Sequence, residues 1–190
     1  MIRLILARHG NTFEKGETPT QVGARSDLPL TAEGRKQAEA LAGCLTPHVV
    51  YAGSLRRQIE TAMLFGKKHT LEPALTEIDY GLWEGLTTEE ITDRWPEEYT
   101  QWTTKGIWQE GIFGGSLEEH QRKIANWLEF LRSTYKNGDT ILGVTSNGII
   151  RLFYPTTVEN VEQLKVKTGH FCELNLLDNS VEVVSWNTKP

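Results

Sequence analysis

Only two cysteines occur in the 190 residues, Cys44 and Cys172, far apart and without metal-ligand spacing. That excludes a disulfide-stapled scaffold and a cysteine-built metal centre. It fits a reducing compartment, so a cytoplasmic protein is expected, with both thiols as packing residues. Long apolar runs are also missing, which excludes a membrane-spanning helix. The opening apolar run is too short for a secretory core, and Arg3 and Arg8 interrupt it. No stretch is rich in lysine or arginine and the formal net charge is −5, which argues against nucleic acid as a partner. No repeat, linker or low-complexity tract divides the chain. What remains, 38% hydrophobic and 24% charged residues, suits a globular protein with one well-buried domain over 1–190.

Strand and helix signals alternate, which predicts an α/β fold with a mainly parallel sheet. Residues 1–7 read as a short buried strand, and the polar stretch 11–30 as a long loop of the kind that binds ligands. Thr31 opens a helix to about Leu45 with Ala38, Leu41, Ala42 and Leu45 on one face. Val49–Tyr51 reads as a strand, Leu55 to about Lys67 as a helix, and Leu71–Leu75 as a weaker strand or extended segment. Residues 85–115 hold three of the six tryptophans and several glycines. They are expected to form a helical insert over one end of the sheet, either a lid or a second hydrophobic cluster. Ser116 caps an amphipathic helix to about Tyr135, Thr140–Thr145 is a buried strand, and His170–Leu177 with Val181–Trp186 forms a closing hairpin.

The most informative residues are Arg8-His9-Gly10-Asn11-Thr12, placed where the first strand stops. In an α/β sheet the carboxyl edge of the strands is where ligands bind. A guanidinium holds two phosphate oxygens in its planar fork while an imidazole nitrogen approaches phosphorus, and Gly10 permits a sharp turn. A loop histidine beside a salt-bridged arginine is the alternative. Three further segments bear on the choice. Gly53-Ser54-Leu55-Arg56-Arg57 follows a strand and opens a helix, where amides and dipole favour an anion. Leu75–Gly85 packs three acids, two aromatics and two glycines into one loop; a carboxyl there would have a raised pKa and suit proton donation to a leaving alkoxide. Val144-Thr145-Ser146-Asn147-Gly148-Ile149-Ile150-Arg151 is another strand-to-helix junction. No cluster of ligands has metal spacing.

Together these segments resemble the histidine phosphatase superfamily, whose members include the cofactor-dependent phosphoglycerate mutases. The likeness rests on Arg8-His9-Gly10-x-Thr12, Asp27-x-Pro29-Leu30-Thr31-x-x-Gly34, Ser54-Leu55-x-Arg57-x-x-x-Thr61, Leu75-x-Glu77 and Gly81-x-Trp83-Glu84-Gly85, in that order. It implies a three-layer, phosphoglycerate mutase-like fold with a mainly parallel sheet flanked by helices. It also implies a phosphomonoester hydrolase in which His9 carries the phosphoryl group, Arg8 and Arg57 hold its oxygens, and Glu77 is the acid. No cofactor is implied. The partner implied is a small phosphorylated substrate, neither nucleic acid nor membrane, with a homodimer left open. Asn11, Thr12, Gly23, Arg25, Tyr80, Ser146, Asn147 and His170 are the expected substrate-binding residues.

One position departs from the pattern: Ser146 stands where the family has a second histidine. Slow turnover, replacement of the missing group by His170, or a catalytically weak phosphate-ester-binding module are the three consequences open. A mutase is the remaining alternative. Tyr80 favours it, whereas the insert, with Arg94 and Lys105 as its only basic residues, lacks the cation pair such enzymes use for a second anion.

Overall fold

A computed structural model describes residues 1–190. The apolar run at the start forms strand β1 (Ile2–Arg8), and alternate side chains enter opposite faces of the sheet. Leu4 and Leu6 join one core, Ile5 and Ala7 the other, all four with no exposed surface. Burial on both faces is why the strand is continuously apolar rather than alternating.

Five further strands complete one sheet: β2 (Val49–Ala52), β3 (His69–Leu71), β4 (Thr140–Thr145), β5 (Phe171–Leu176) and β6 (Val181–Thr188). Their order is β3-β2-β4-β1-β5-β6, parallel from β3 to β1 and antiparallel over the last two pairs. Helices α1 (Ala32–Cys44) and α2 (Arg56–Met63) cover one face, with Leu41 and Ala62 against Ile5, Val50 and Leu142. Helices α5 (Leu117–Thr134) and α6 (Asn147–Leu152) cover the other, with Trp127, Leu131 and Ile149 against Leu4, Leu6 and Ile141. The result is the expected three-layer α/β architecture. Thr31 caps α1 by accepting from the Gly34 N–H at 3.0 Å, and Ser116 caps α5 by accepting from Glu119 at 3.2 Å.

Two expected elements differ. The segment 71–75 is not one extended piece, because the strand ends at Leu71 and Pro73–Leu75 make a 3₁₀ turn. Proline cannot donate to a strand ladder, and the Glu72 carboxylate caps the turn through the Ala74 N–H at 2.9 Å. Helix α2 stops at Met63, short of Lys67, since Gly66 adopts a left-handed conformation (φ 62°) that breaks the helical path.

The insert is helical. It contains α3 (Thr88–Arg94) and α4 (Pro96–Thr100), followed by a π-helical turn over Gln101–Lys105. Its tryptophans serve packing: Trp95 and Trp108 lie half-buried against the core, while Trp102 and Phe113 are buried with Tyr80 and Trp83, their rings edge to face at 5.1 Å (Trp102–Phe113) and 4.9 Å (Trp83–Phe113). The insert and the wall beneath it therefore share one aromatic cluster.

Candidate active site

The carboxyl ends of β1, β2 and β4 meet at one edge, and the three junctions singled out in the sequence converge there. At the first, the backbone leaves β1 so close to α1 that a Cβ on Gly10 would collide with the Gly34 carbonyl, and one on Gly34 with the Asn11 carbonyl. This contact fixes where His9 points. Its Nδ1 lies 2.7 Å from the Gly10 carbonyl oxygen, which can only accept, so Nδ1 carries the proton and Nε2 keeps a lone pair. Arg57 Nε donates to that Nε2 at 3.3 Å.

Arg57 is itself held as a fork. Its Nη1 donates to the Ser26 carbonyl at 2.6 Å and its Nη2 to the Gly23 carbonyl at 3.2 Å, and the side chain is 1% exposed. Thr61, one helical turn on, accepts from the Gly10 N–H at 3.1 Å and donates to the Arg57 carbonyl at 2.8 Å, tying the two junctions together. Arg8 donates through Nη1 to the Val166 carbonyl at 2.6 Å, while its buried Nε has no protein partner and is a free donor for an anion.

Glu77 approaches from the loop after the 3₁₀ turn. Its Oε1 accepts from the Ile78 N–H at 2.9 Å and its Oε2 from the Gly148 N–H at 3.3 Å. A Cβ at Gly148 would collide with Tyr80 Oη, so only glycine lets α6 come this near. Burial raises the Glu77 pKa above the ordinary carboxylate value, against the pull of the Ile78 amide, Arg57, the Gly148 amide and Arg8. Burial first, then Arg57 and Arg8, pushes His9 well below the usual histidine value, with the Gly10 carbonyl opposing. The site thus pairs a neutral imidazole with a carboxyl biased towards its protonated form, between two guanidinium groups that stay charged despite burial.

These residues line a cavity of about 420 Å³. Arg8, His9, Arg57 and Glu77 all border it, as do Asn11, Thr12, Tyr80 and Asn147 of the expected substrate-binding set. Gly23 contributes through its carbonyl to Arg57. Three expected residues stand elsewhere. Arg25 points outward into an ion pair with Asp79, Nε to Oδ1 2.8 Å. His170 lies at the start of β5, its Nδ1 3.1 Å from the Asn187 carbonyl, and does not border the cavity. Ser146 precedes α6 but caps nothing; wholly buried, its hydroxyl accepts from Gln58 Nε2 at 2.9 Å. Asn147 borders the cavity in its place, its Oδ1 held by the Val166 N–H at 2.8 Å and its Nδ2 without a protein partner.

The sequence reading missed Gln21, Lys165 and Thr168, which also border the cavity. Gln21 falls within the loop expected to bind ligand and is pinned to the insert by Gln21 N–H to Leu86 carbonyl at 2.8 Å and Gly85 N–H to Gln21 carbonyl at 2.9 Å. Lys165 and Thr168 follow a 3₁₀ turn (Val161–Leu164) with no motif of their own. No group of three or more histidine, cysteine, aspartate or glutamate side chains is arranged to hold a metal ion. No helix is long and apolar enough to cross a membrane.

A mostly parallel sheet with catalytic-type side chains at its carboxyl edge is the phosphoglycerate mutase-like fold. The profile of the histidine phosphatase superfamily (branch 1) matches residues 4–189, and the chain belongs to that family. Among curated proteins it is 29% identical over 161 residues to phosphoserine phosphatase 1 of Hydrogenobacter thermophilus, covering 81% of this chain and 75% of that protein. It is 27% identical over 194 residues to the metal-independent phosphoserine phosphatase of Arabidopsis thaliana, covering 97% and 80%. Among solved structures, a mycobacterial glucosyl-3-phosphoglycerate phosphatase superposes with a TM-score of 0.86 at 22% identity, covering 98% of this chain and 99% of that one.

Proposed function

We propose that the protein is a phosphomonoester hydrolase working through a phosphohistidine on His9. The observation that carries this reading is the pairing of a proton-bearing Nδ1 on the Gly10 carbonyl with an unprotonated Nε2, whose lone pair meets only a long 3.3 Å contact from Arg57 Nε, beside Arg8. In the first half-reaction Nε2 attacks phosphorus, the ester P–O bond breaks, and the leaving oxygen takes the proton of Glu77. In the second, the Glu77 carboxylate removes a proton from water, whose oxygen attacks phosphorus. The N–P bond then breaks, returning its electron pair to Nε2 and releasing inorganic phosphate. Arg8 and Arg57 neutralise the charge on the equatorial oxygens in both steps, the part of phosphoryl transfer that a protein chiefly supplies. Two relatives named as phosphoserine phosphatases favour hydrolysis over a mutase.

Phosphate release from a panel of phosphomonoesters, including 2- and 3-phosphoglycerate with their interconversion followed, tests this reading. The pH profile of kcat/KM provides an internal check. Activity is expected to fall on the acid side as His9 protonates, below the ordinary histidine value, and on the alkaline side as Glu77 ionises, above the ordinary carboxylate value. Interconversion without release would replace the hydrolase by a mutase, and an acid limb above the ordinary histidine value would contradict the neutral His9.

Ser146 is read as the position of the family's second histidine, and its surroundings explain why restoring that ring is not a single change. Gln58 fills the space before Ser146, also donating to the Leu75 carbonyl at 2.9 Å, and both side chains are wholly buried. Ser146→His alone is expected to lower the melting temperature without raising kcat. Ser146→His with Gln58→Ala makes room, and is expected to raise kcat at least about tenfold through the added charge-assisted contact. A faster single variant would count against the steric argument.

A further inference from the structure

Beside the cavity over His9 lies a second one of about 200 Å³, and the two share Gln21, Tyr80, Asn147 and Lys165 as walls. The annex is closed by Trp102 of the insert and by Arg151 in the last turn of α6. Arg151 Cζ sits 4.3 Å from the centre of the Trp102 ring. The guanidinium therefore sits over the ring, and its N–H groups have no partner in the protein. Neither Arg151 nor Lys165 enters an ion pair, and neither side chain makes a hydrogen bond within the protein. Arg57 is committed to carbonyl groups and Arg25 to a carboxylate, and Arg8 is held by the Val166 carbonyl with its Nε turned to the cavity over His9. The one carboxylate on the annex, Glu162, is solvent-exposed and leaves the two cations in excess.

We propose that this annex is the binding site for a carboxylate on the alcohol half of the substrate, with Arg151 gripping it through its fork and Lys165 adding charge from the shared wall. The inference rests on the phosphomonoester reading above and narrows it to phosphorylated hydroxy acids and amino acids. A planar carboxylate matches two parallel guanidinium N–H groups, and the four walls that the cavities share set the two side by side, phosphate over His9 in one and carboxylate on Arg151 in the other. The insert, which carries Lys105 and Arg94 as its only basic residues, contributes the stacking ring, while the cations come from α6 and the segment after Leu164.

The test is equilibrium binding to the full chain carrying His9→Ala, measured by calorimetry with 3-phosphoglycerate and glycerol 3-phosphate. These probes share the phosphate and differ in carboxylate against hydroxymethyl. The expected preference for 3-phosphoglycerate is roughly ten- to hundredfold, the range of one charge-assisted contact. Adding Arg151→Gln is expected to abolish most of that preference while leaving glycerol 3-phosphate affinity within about threefold, and Lys165→Gln, on the shared wall, is expected to weaken 3-phosphoglycerate several-fold more than glycerol 3-phosphate. Lys165 is exposed and holds nothing in place, so its variant decides the matter if Arg151→Gln loosens the stack on Trp102 and fails to fold. Equal affinity for the two probes, or equal loss of both in the variants, would overturn the proposal. Because binding is read without turnover, a wild-type chain that releases phosphate from no ester of the panel would refute the catalytic reading alone.

Discussion

His9→Ala is expected to lower kcat/KM for phosphomonoesters by roughly 10⁵-fold or more, the scale of losing a covalent nucleophile rather than a binding contact. The ring supplies the only unprotonated side-chain nitrogen on the cavity, and its position is fixed from both ends by the Gly10 carbonyl and Arg57. Alanine leaves the strand and its packing in place, since His9 lies beyond the last residue of β1 and outside both apolar clusters. Stopped-flow phosphate release and an intact-protein mass spectrum of substrate-treated enzyme check this together. A phosphoryl adduct should appear in the wild type and vanish in the variant. Retained turnover in His9→Ala would refute a phosphohistidine route whatever the substrate.

Arg57→Ala should be the next most damaging change, with kcat/KM down by about 10³-fold or more. One guanidinium here spans His9 Nε2, the Ser26 carbonyl and the Gly23 carbonyl, which orients both the nucleophile and the loop that ends near the cavity. Arg57→Lys is expected to recover little of that loss, because an ammonium is a point charge and cannot reach three acceptors in one plane. The comparison separates geometry from charge. If lysine restored the rate to within tenfold, charge alone would explain the role and the fork would be incidental. Stability should also fall in the alanine variant, since two carbonyl groups lose their donor in a buried place.

Much of this site was legible in the chain because its parts lie at strand-to-helix junctions with local signatures. The neighbouring arginines show how the local signature sorts two identical side chains: Arg56 faces solvent and pairs with Glu60 one turn along, Nε to Oε1 2.6 Å, while Arg57 turns inward to His9. What could not be read was placement that depends on contacts across the fold. Arg25 was expected near substrate but finds Asp79 instead, a residue 54 positions away. Ser146 was expected to face the cavity, yet Gln58 from the opposite junction covers it. His170 was expected at the same edge; the hairpin that closes the sheet gives its ring the Asn187 carbonyl as a partner. Lys165 has no flanking motif and Arg151 closes the third junction without a role of its own there, and only the order of the strands brings them beside Tyr80. The strand at 71–75 failed for a local reason, a proline and a capping glutamate that the apolar pattern concealed.

The aromatic cluster beneath the insert has a consequence for how such a protein can change over evolutionary time. Trp102 packs against Phe113 and Tyr80 in the buried core, and it also carries Arg151 on its ring. The side chain that shapes the mouth of the annex is therefore one the fold depends on. Drift in this insert is constrained twice, by solubility of the folded chain and by what fits over His9. Transplanting the insert from a relative would exchange part of the interior along with the pocket. New substrate preferences are more accessible through Lys165 and Gln21, which border the same space and lie outside the apolar core.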